Sequence, residues 1–458
     1  MTENPDQRED RTENLENIRH GSPFTPHTEL EVQAMLNSVG AESIESLFDI
    51  PESIRFDNTT DLKKTPEQQV TQQLTHTLDQ NNNLTEFLGR GHYSHYIPSI
   101  VDHLSLRSEF ITSYTQYQPE VTQGFLQALF EYQSLLVELT GLKVANCSMY
   151  DAATALGEAA TLAARARQVD GSRVLVPDYL RKERRAVLEN YVAGTDLTVD
   201  EFRTDNGLAT SKGLSQELAD DVVMVHIENP TPEGVIEEQL NEIGELTKKH
   251  EALFCLGSDL VALSLLQSPA SVGADIVVGD ASVLGLPPAY GMGLGIFACR
   301  ENYLRQVPGR LVGASEDAHG SRAFTLTLQT REQHIRRERA TSNICTNQAW
   351  VALRTAIHAA SLGPSGLISL AKKCHQLPEN VAQALDAIDG ISAPVHDCYH
   401  FREFKARIEP DAREVADELL EMGFAVHALN TDEIQICVDE TNENQVEELI
   451  QSIQEALK

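Results

Sequence analysis

His92, His95 and His103, with Asp102 beside the last, are residue types that could ligate a metal. No second ligand pair follows them at a metal-binding spacing, and Tyr93 and Tyr96 are interleaved, so the set reads as core or interface packing rather than a metal centre. The run Gly89–Pro98 is dense in rings that hydrogen-bond, a composition suited to lining a pocket. Asn146–Ala155 reads as a turn entering a helix N-terminus, where free N–H groups and the helix dipole suit a phosphate. Asp151 stands at that cap, however, and its carboxylate would take the same donors and repel a phosphate, which favours an ordinary capped helix. Gly291–Gly295 alternates glycine but precedes a strand instead of following one into a helix, which argues against a nucleotide site. Arg331, Arg336, Arg337 and Arg339 make a basic island. It is either a solvated helix face pairing with Glu332 and Glu338 or a surface facing an anion or acidic partner. One absence matters as much: no lysine occurs between His250 and Ala371, so that stretch offers no side-chain amine for imine chemistry.

The elements that must position these residues follow from hydrophobic spacing. Leu30, Val32, Met35, Leu36, Val39, Ile44 and Leu47 recur at helical intervals between Thr28 and Phe48, predicting one or two short amphipathic helices, with a polar linker to about Asn83. Leu126 to Leu139 mark a helix ending at Gly141, and Asp151 to about Arg167 an alanine-rich one. Short apolar runs at Val174–Val176, Val222–Ile227, Leu253–Leu256, Ile276–Val278 and Ile296–Ala298 alternate with helices, implying an α/β fold with a mostly parallel sheet covered on both faces. A long helix after Asn347 leads to a Gly-Pro-Ser-Gly turn at 363–366. From about Ile391 the order strand, helix, strand, strand, helix predicts a small α+β unit.

At 458 residues the chain suits a large and a small domain. The division expected is an acidic disordered tail over 1–22, a helical arm over 23–83, a large domain over 84–345, and a linker helix with the small domain over 346–458. The chain carries 36 basic and 69 acidic residues for a net charge of −33, and only 11 of the bases are lysine. With 41% hydrophobic residues it can still bury a core. Acidic side chains spread along the whole length repel one another in dilute buffer, and molar salt shortens that repulsion to roughly 3 Å, so the surface reads as adapted to a salt-rich cytoplasm. Such charge argues against nucleic-acid or anionic-membrane binding. Seven scattered cysteines with no C-x-x-C pair fit reduced thiols. No run approaches a membrane span and the N-terminus is polar, so a soluble cytoplasmic protein is expected.

The stretch Gly273–Gly285 lies where aminotransferase-type enzymes of pyridoxal-phosphate (PLP) fold type I carry their cofactor lysine. The surroundings resemble the large domain of such an enzyme, without the anchor. Four segments, His92–Asp102, Tyr114–Gly124, Asn146–Ala155 and Pro308–Gly313 with Thr327–Asn347, together resemble the P-protein of the glycine cleavage system, in its two-subunit form the first subunit of glycine decarboxylase. The likeness runs from about Pro26 to the C-terminus and departs at Ala152, where the family usually has glycine, and in the acidic tail. It implies a PLP-enzyme fold lacking its own lysine, with the vacant slot near Ser282 and Val283. The cofactor would sit on a homologous second subunit in a heterotetramer of two chains of each kind. Asp259 matches the carboxylate region that faces the pyridinium nitrogen in active members and would here serve packing or hydrogen bonding. The implied reaction is oxidative decarboxylation of glycine, with the aminomethyl carbon passing to the lipoyl group of the H-protein. Tyr93, His95 and Tyr96 are the candidates for completing the partner's pocket, and Gln118 with Arg331, Arg336, Thr341 and Asn343 for the interface. The rival readings are an independent PLP enzyme, which the missing lysine opposes, and a silent scaffold that only assembles the PLP-bearing subunit.

Overall fold

The computed structural model describes residues 27–55, 65–91, 93–111, 113–167, 172–287 and 292–458. The expected acidic tail, His92 and Gly291 lie outside the described residues. The chain divides into two compact units between Asn81 and Asn82.

In the first unit, helix α1 (Glu29–Val39) starts at a capping box: the Thr28 hydroxyl accepts from the Glu31 amide, and the Glu31 carboxylate accepts from the Thr28 amide at 2.8 Å. A second helix, α2 (Glu67–Leu78), occupies part of the stretch expected to be polar linker. Glutamine and threonine mask a narrow stripe of Val70, Leu74 and Leu78, four residues apart, which is the only apolar signal of that helix.

The second unit contains strand β1 (Thr85–Glu86), helices α3 (Ser99–Ser105) and α4 (Pro119–Thr140), β2 (Val144–Ala145), α5 (Ala152–Arg167), β3 (Arg173–Pro177), α6 (Lys182–Val192), β4 (Thr198–Phe202), α7 (Ser211–Glu217), β5 (Val222–Asn229), α8 (Leu240–Lys249), β6 (Leu253–Asp259), β7 (Ile276–Asp280) and β8 (Gly295–Cys299). The seven-stranded sheet runs in the order β2-β8-β7-β6-β5-β3-β4. Its strands are parallel from β4 across to β7, and β8 runs against both of its neighbours. Side chains alternate between the faces, as the period of two demands: Phe254 and Leu256 pack into one core layer, Leu253 and Cys255 into the other. Every residue of β5 is buried, which is why it opens on the apolar run Val222–Val225, with His226, Glu228 and Asn229 buried beyond it.

A hairpin of β9 (Leu311–Glu316) and β10 (Arg322–Thr327) follows, pairing Val312 with Leu326. Helix α9 (Ala349–Asp386) then spans 38 residues. The turn expected at 363–366 is a break inside it, with Gly363 at φ 64° and ψ 178°, and Pro364 opens the second half, where its missing N–H costs nothing. The C-terminal sheet joins β11 (Ile391–Ser392), β12 (Glu403–Ile408), β15 (Glu433–Cys437) and β14 (His427–Ala428), in that order. It is covered by α10 (Ala412–Glu421) and α11 (Val446–Ala456), and Phe404, Ile436, Leu419 and Ile453 share its core. The strand expected over Ala425–Leu429 is instead two short pieces, β14 and β13 (Phe424–Ala425), the latter pairing with β1. Among the described residues no helix is long and apolar enough to cross a membrane.

Candidate functional site

Strand order reverses beside β3: the chain goes outward to β4, then returns to place β5 on the other side. Parallel sheets bind ligands at the carboxyl ends of their strands near such a switch. A cavity of about 410 Å³ opens there, walled by the ends of β5, β6 and β7, the start of α5, Arg90, Gly91 and Tyr93, and Phe401–Glu403. A larger hollow of about 1320 Å³ lies between α3, α4 and α9; its lining is mostly apolar, and among the described lining residues Glu109, Glu131 and Glu138 are the charged ones, with no cation beside them to bind an anionic group.

Charged groups in the smaller cavity are largely matched to one another. At the end of β6, both Asp259 oxygens accept from Arg402 Nη2, at 3.0 and 3.1 Å, and Asp259 Oδ1 also accepts from the amides of Val261 and Ala262. Arg402 is only 1% exposed. Burial works against its charge, and Asp259 more than offsets it, so its pKa lies above the usual arginine range. Its cation also stands 4.9 Å from the Tyr93 ring centre. Arg402 sits at φ 66°, a left-handed conformation that costs a side-chain-bearing residue about 1–2 kcal/mol, and it is held there by Arg402 N donating to Cys374 O at 2.6 Å and Val438 N donating to Arg402 O at 2.7 Å.

Next to it, Glu403 accepts from Tyr93 Oη at 2.6 Å, the Arg90 amide at 2.7 Å and Gln435 Nε2 at 2.6 Å. Burial pushes its carboxyl up to about 7 against those donors. At the end of β5, burial raises the Glu228 carboxyl, but Arg184 and His226 outweigh it and hold it at about 2.

Where β7 ends, Asp280 Oδ1 accepts from the Ser282 amide at 2.7 Å and its hydroxyl at 2.5 Å, and Oδ2 from the Leu294 amide at 3.1 Å. The segment just beyond is fastened to α9: Thr355 Oγ1 donates to Ala281 O at 3.0 Å, Arg354 Nε to Gly285 O at 2.5 Å, and His358 Nδ1 lies 2.9 Å from Leu284 O. The expected cap holds at α5, where Asp151 Oδ1 accepts from the Thr154 amide at 2.7 Å and its hydroxyl at 2.9 Å. No lysine is among the lining residues.

The three ring-bearing candidates separate. Tyr93 is tied to Glu403. His95, 4% exposed, has Nδ1 within 2.8 and 2.9 Å of the two Glu440 oxygens and Nε2 within 2.6 Å of Arg402 Nη1. Tyr96 is 72% exposed and points away from that network. His103 lies exposed on α3 and does not join His95, and Asp102 pairs with Arg354 at 2.7 Å. His95, Cys374 and Glu440 place one ligand atom each within 4.8 Å of one another. Arg402 already brings a cation against His95 Nε2, and burial pushes the Cys374 thiol up to about 12, so the trio is built as a hydrogen-bond network rather than as a cation cage.

The basic island is not one helix face. α-Helix covers only Gln333–Arg336, flanked by 3-10 turns at Gln329–Arg331 and Arg337–Arg339, and Arg337 turns out of the α-helix at φ 53°. Arg331 is buried, donating to Val307 O and, at 3.2 Å, to Gly309 O, because the turn before β9 leaves those carbonyls without strand partners. Glu332 pairs with Arg310 at 3.4 Å instead of with the island. Arg336 and Asn343 are exposed, Thr341 is half-buried with its amide donating to Arg331 O at 2.9 Å, and exposed Gln118 caps α4. Sequence reasoning missed Arg402, Glu403 and Glu440. The one available signal was the adjacent charges Arg402 and Glu403 held between Phe401 and Phe404; Glu440, in the turn after β15, gave none.

A model of the glycine cleavage system P-protein family matches residues 22–453. The chain is 58% identical over 436 residues to a probable glycine dehydrogenase (decarboxylating) subunit 1 of Halobacterium salinarum, covering 95% of this chain and 99% of that one, a relative whose habitat fits the acidic surface. It is 42% identical over 412 residues to the protein of the same description in Pyrococcus furiosus, covering 88% and 90%. The crystal structure of a glycine decarboxylase (P-protein) of the glycine cleavage system, in inhibitor-bound form, superposes with a TM-score of 0.85 at 37% identity, over 95% of this chain and 100% of that one. Glutamate decarboxylase of Lactobacillus brevis, at 11% identity and a TM-score of 0.66, shares the fold alone, over 91% of this chain and 96% of its own. The acidic α/β chain, with its fold type I sheet and crevice, belongs to the glycine cleavage system P-protein family.

Proposed function

We propose that this chain is the half of a glycine-decarboxylating pair that does not carry the cofactor, and that PLP is held on a lysine of the second subunit. The observation that carries this reading is Arg402 locked onto Asp259 in a cavity whose described lining includes no lysine. A covalently held PLP needs an amine, a carboxylate free to face its ring nitrogen, and donors free for its phosphate. Here Ser282 and Val283 stand at the slot, Arg402 neutralises Asp259, and Asp151 takes the cap of α5. These residues do not fit the group.

In the pair, PLP on the partner supplies an electron sink as glycine loses CO₂, and the aminomethyl carbon passes to the lipoyl group of an H-protein. The chain's own part is to wall the partner's pocket. Tyr93 and His95 stiffen the loop from within, and the exposed Tyr96 presents a ring outward that can exclude water across the interface. Two of each chain would form the assembly, with the exposed Gln118, Arg336 and Asn343 at its contacts.

The burial of His95 and the ties of half-buried Tyr93 favour a second reading, in which the chain only holds its partner in shape. Tyr96→Ala in the co-expressed pair separates the two. Loss of glycine–bicarbonate exchange with normal assembly supports a pocket role, and unchanged exchange leaves the scaffold. Borohydride treatment of the pair is expected to leave a pyridoxyl adduct on the second subunit alone, and an adduct on this chain would overturn the division of labour.

A further inference from the structure

We infer that Glu440, in the turn after β15, is a positioning residue for Tyr96, an inference that rests on the pocket role proposed for that ring. Glu440 is the acceptor at which the loop is pinned. Its two oxygens lie 2.8 and 2.9 Å from His95 Nδ1, and Oε1 also accepts from the Tyr96 amide at 3.2 Å. An arginine only donates, so Arg402 Nη1 at 2.6 Å requires His95 Nε2 to accept, which leaves the ring proton on Nδ1 pointing at Glu440. Arg402 therefore donates both ways, to Asp259 at the end of β6 and to His95, which passes its own Nδ1 proton to Glu440, so the four side chains form one connected network.

The loop between Tyr93 and Pro98 has no helix or strand of its own. A backbone without ladder bonds takes its shape from such side-chain contacts. With His95 held on one side and the next amide held by the same carboxylate, the Tyr96 side chain has to project outward, as its exposure shows. The carboxylate lies 344 residues from Tyr96 in sequence and bonds its backbone amide, so it positions the ring through the backbone.

The test uses the co-expressed pair, with assembly followed by mass measurement and glycine–bicarbonate exchange as the activity. Glu440→Ala removes the acceptor of both bonds and is expected to lower kcat/KM for glycine about tenfold or more. Glu440→Gln keeps an oxygen acceptor and is expected to recover most of that loss. In a Tyr96→Ala background, Glu440→Ala is expected to cost less than about twofold, because its effect runs through the missing ring. Should the alanine variant fail to assemble, Glu440→Asp, too short to meet both partners, runs the same cycle. An equal cost in both backgrounds would mean that Glu440 serves stability alone and would overturn the inference. Full activity of Glu440→Ala would overturn it too. If Tyr96→Ala is itself fully active, the pocket role of Tyr96 falls and this inference with it. If Tyr96→Ala is impaired and Glu440 merely adds to it, only the inference falls.

Discussion

Arg402→Met isolates the contact that closes the crevice. Methionine matches the length of the arginine stem but leaves Asp259, whose side chain is 13% exposed, without its cation. Removing one partner of a buried pair costs about 3–5 kcal/mol. Asp259 keeps the amides of Val261 and Ala262, which places the expected loss near the lower end, about 3 kcal/mol. His95 loses its donor at Nε2 as well, so the loop to Tyr96 loosens. Adding Asp259→Asn removes the stranded charge, and the double variant is expected to recover more than half of the loss, giving a coupling of about 1.5 kcal/mol or more. Urea unfolding of all four proteins in molar KCl, followed by fluorescence and far-UV circular dichroism, measures the cycle. Additive losses in the double variant would refute the claim that Asp259 and Arg402 are an electrostatic unit, as would an Arg402→Met protein no less stable than the parent.

Glu403 gives a pH signature. Its folded pKa of about 7 lies above its ordinary carboxyl value of 4.5, so the folded chain binds the extra proton and this group's contribution is lost as pH rises from about 4.5 through 7. Glu403→Gln is expected to flatten the urea midpoint between pH 5 and 8 and to raise it at pH 8; a variant curve parallel to the parent's would reject this. Arg331→Ala leaves two turn carbonyls unpaired and is expected to cost about 1–3 kcal/mol, whereas Arg336→Ala is expected to stay within about 0.5 kcal/mol in unfolding and to weaken partner binding, which titration of the second subunit would read. Gly234→Ala would put a Cβ 1.8 Å from Glu403 O at φ +82°, so a loss well above about 1 kcal/mol in thermal unfolding is expected. Raising KCl from 0.1 to 2 M is expected to raise Tm, as screening relieves the repulsion carried by a net charge of −33; a Tm independent of salt would count against salt adaptation.

What the sequence disclosed follows from what each residue buries. β5 and β6 are buried through most of their length, so their apolar runs announced the sheet without help. β4 is half-exposed at the sheet edge and mixes Thr198, Asp200 and Glu201, so no alternation marked it. The β9–β10 hairpin leaves no apolar run to read, because β9 is exposed from Ala314 onward and β10 alternates exposed or half-exposed residues with Phe324 and Leu326. The lysine-free stretch and the cap at Asp151 were legible because each is local. Arg402 was not, because its meaning depends on Asp259, 143 positions away, and on His95, 307 positions away. No spacing rule reaches across such distances; only packing of the C-terminal sheet on the crevice brings them together.

The break at Gly363 has a consequence for how the molecule can move. The first half of α9 is stitched to the ends of the large sheet, the second half carries Cys374 and the C-terminal sheet, and a single glycine in a left-handed conformation joins them. That glycine would be a natural pivot, yet Arg402 and Asp259 tie the segment beside the C-terminal sheet to the end of β6 across it. Turning about the pivot would break that pair at a cost of several kcal/mol each time. Under the proposed pairing, the two halves of this chain are therefore expected to keep their places while the sister subunit turns over.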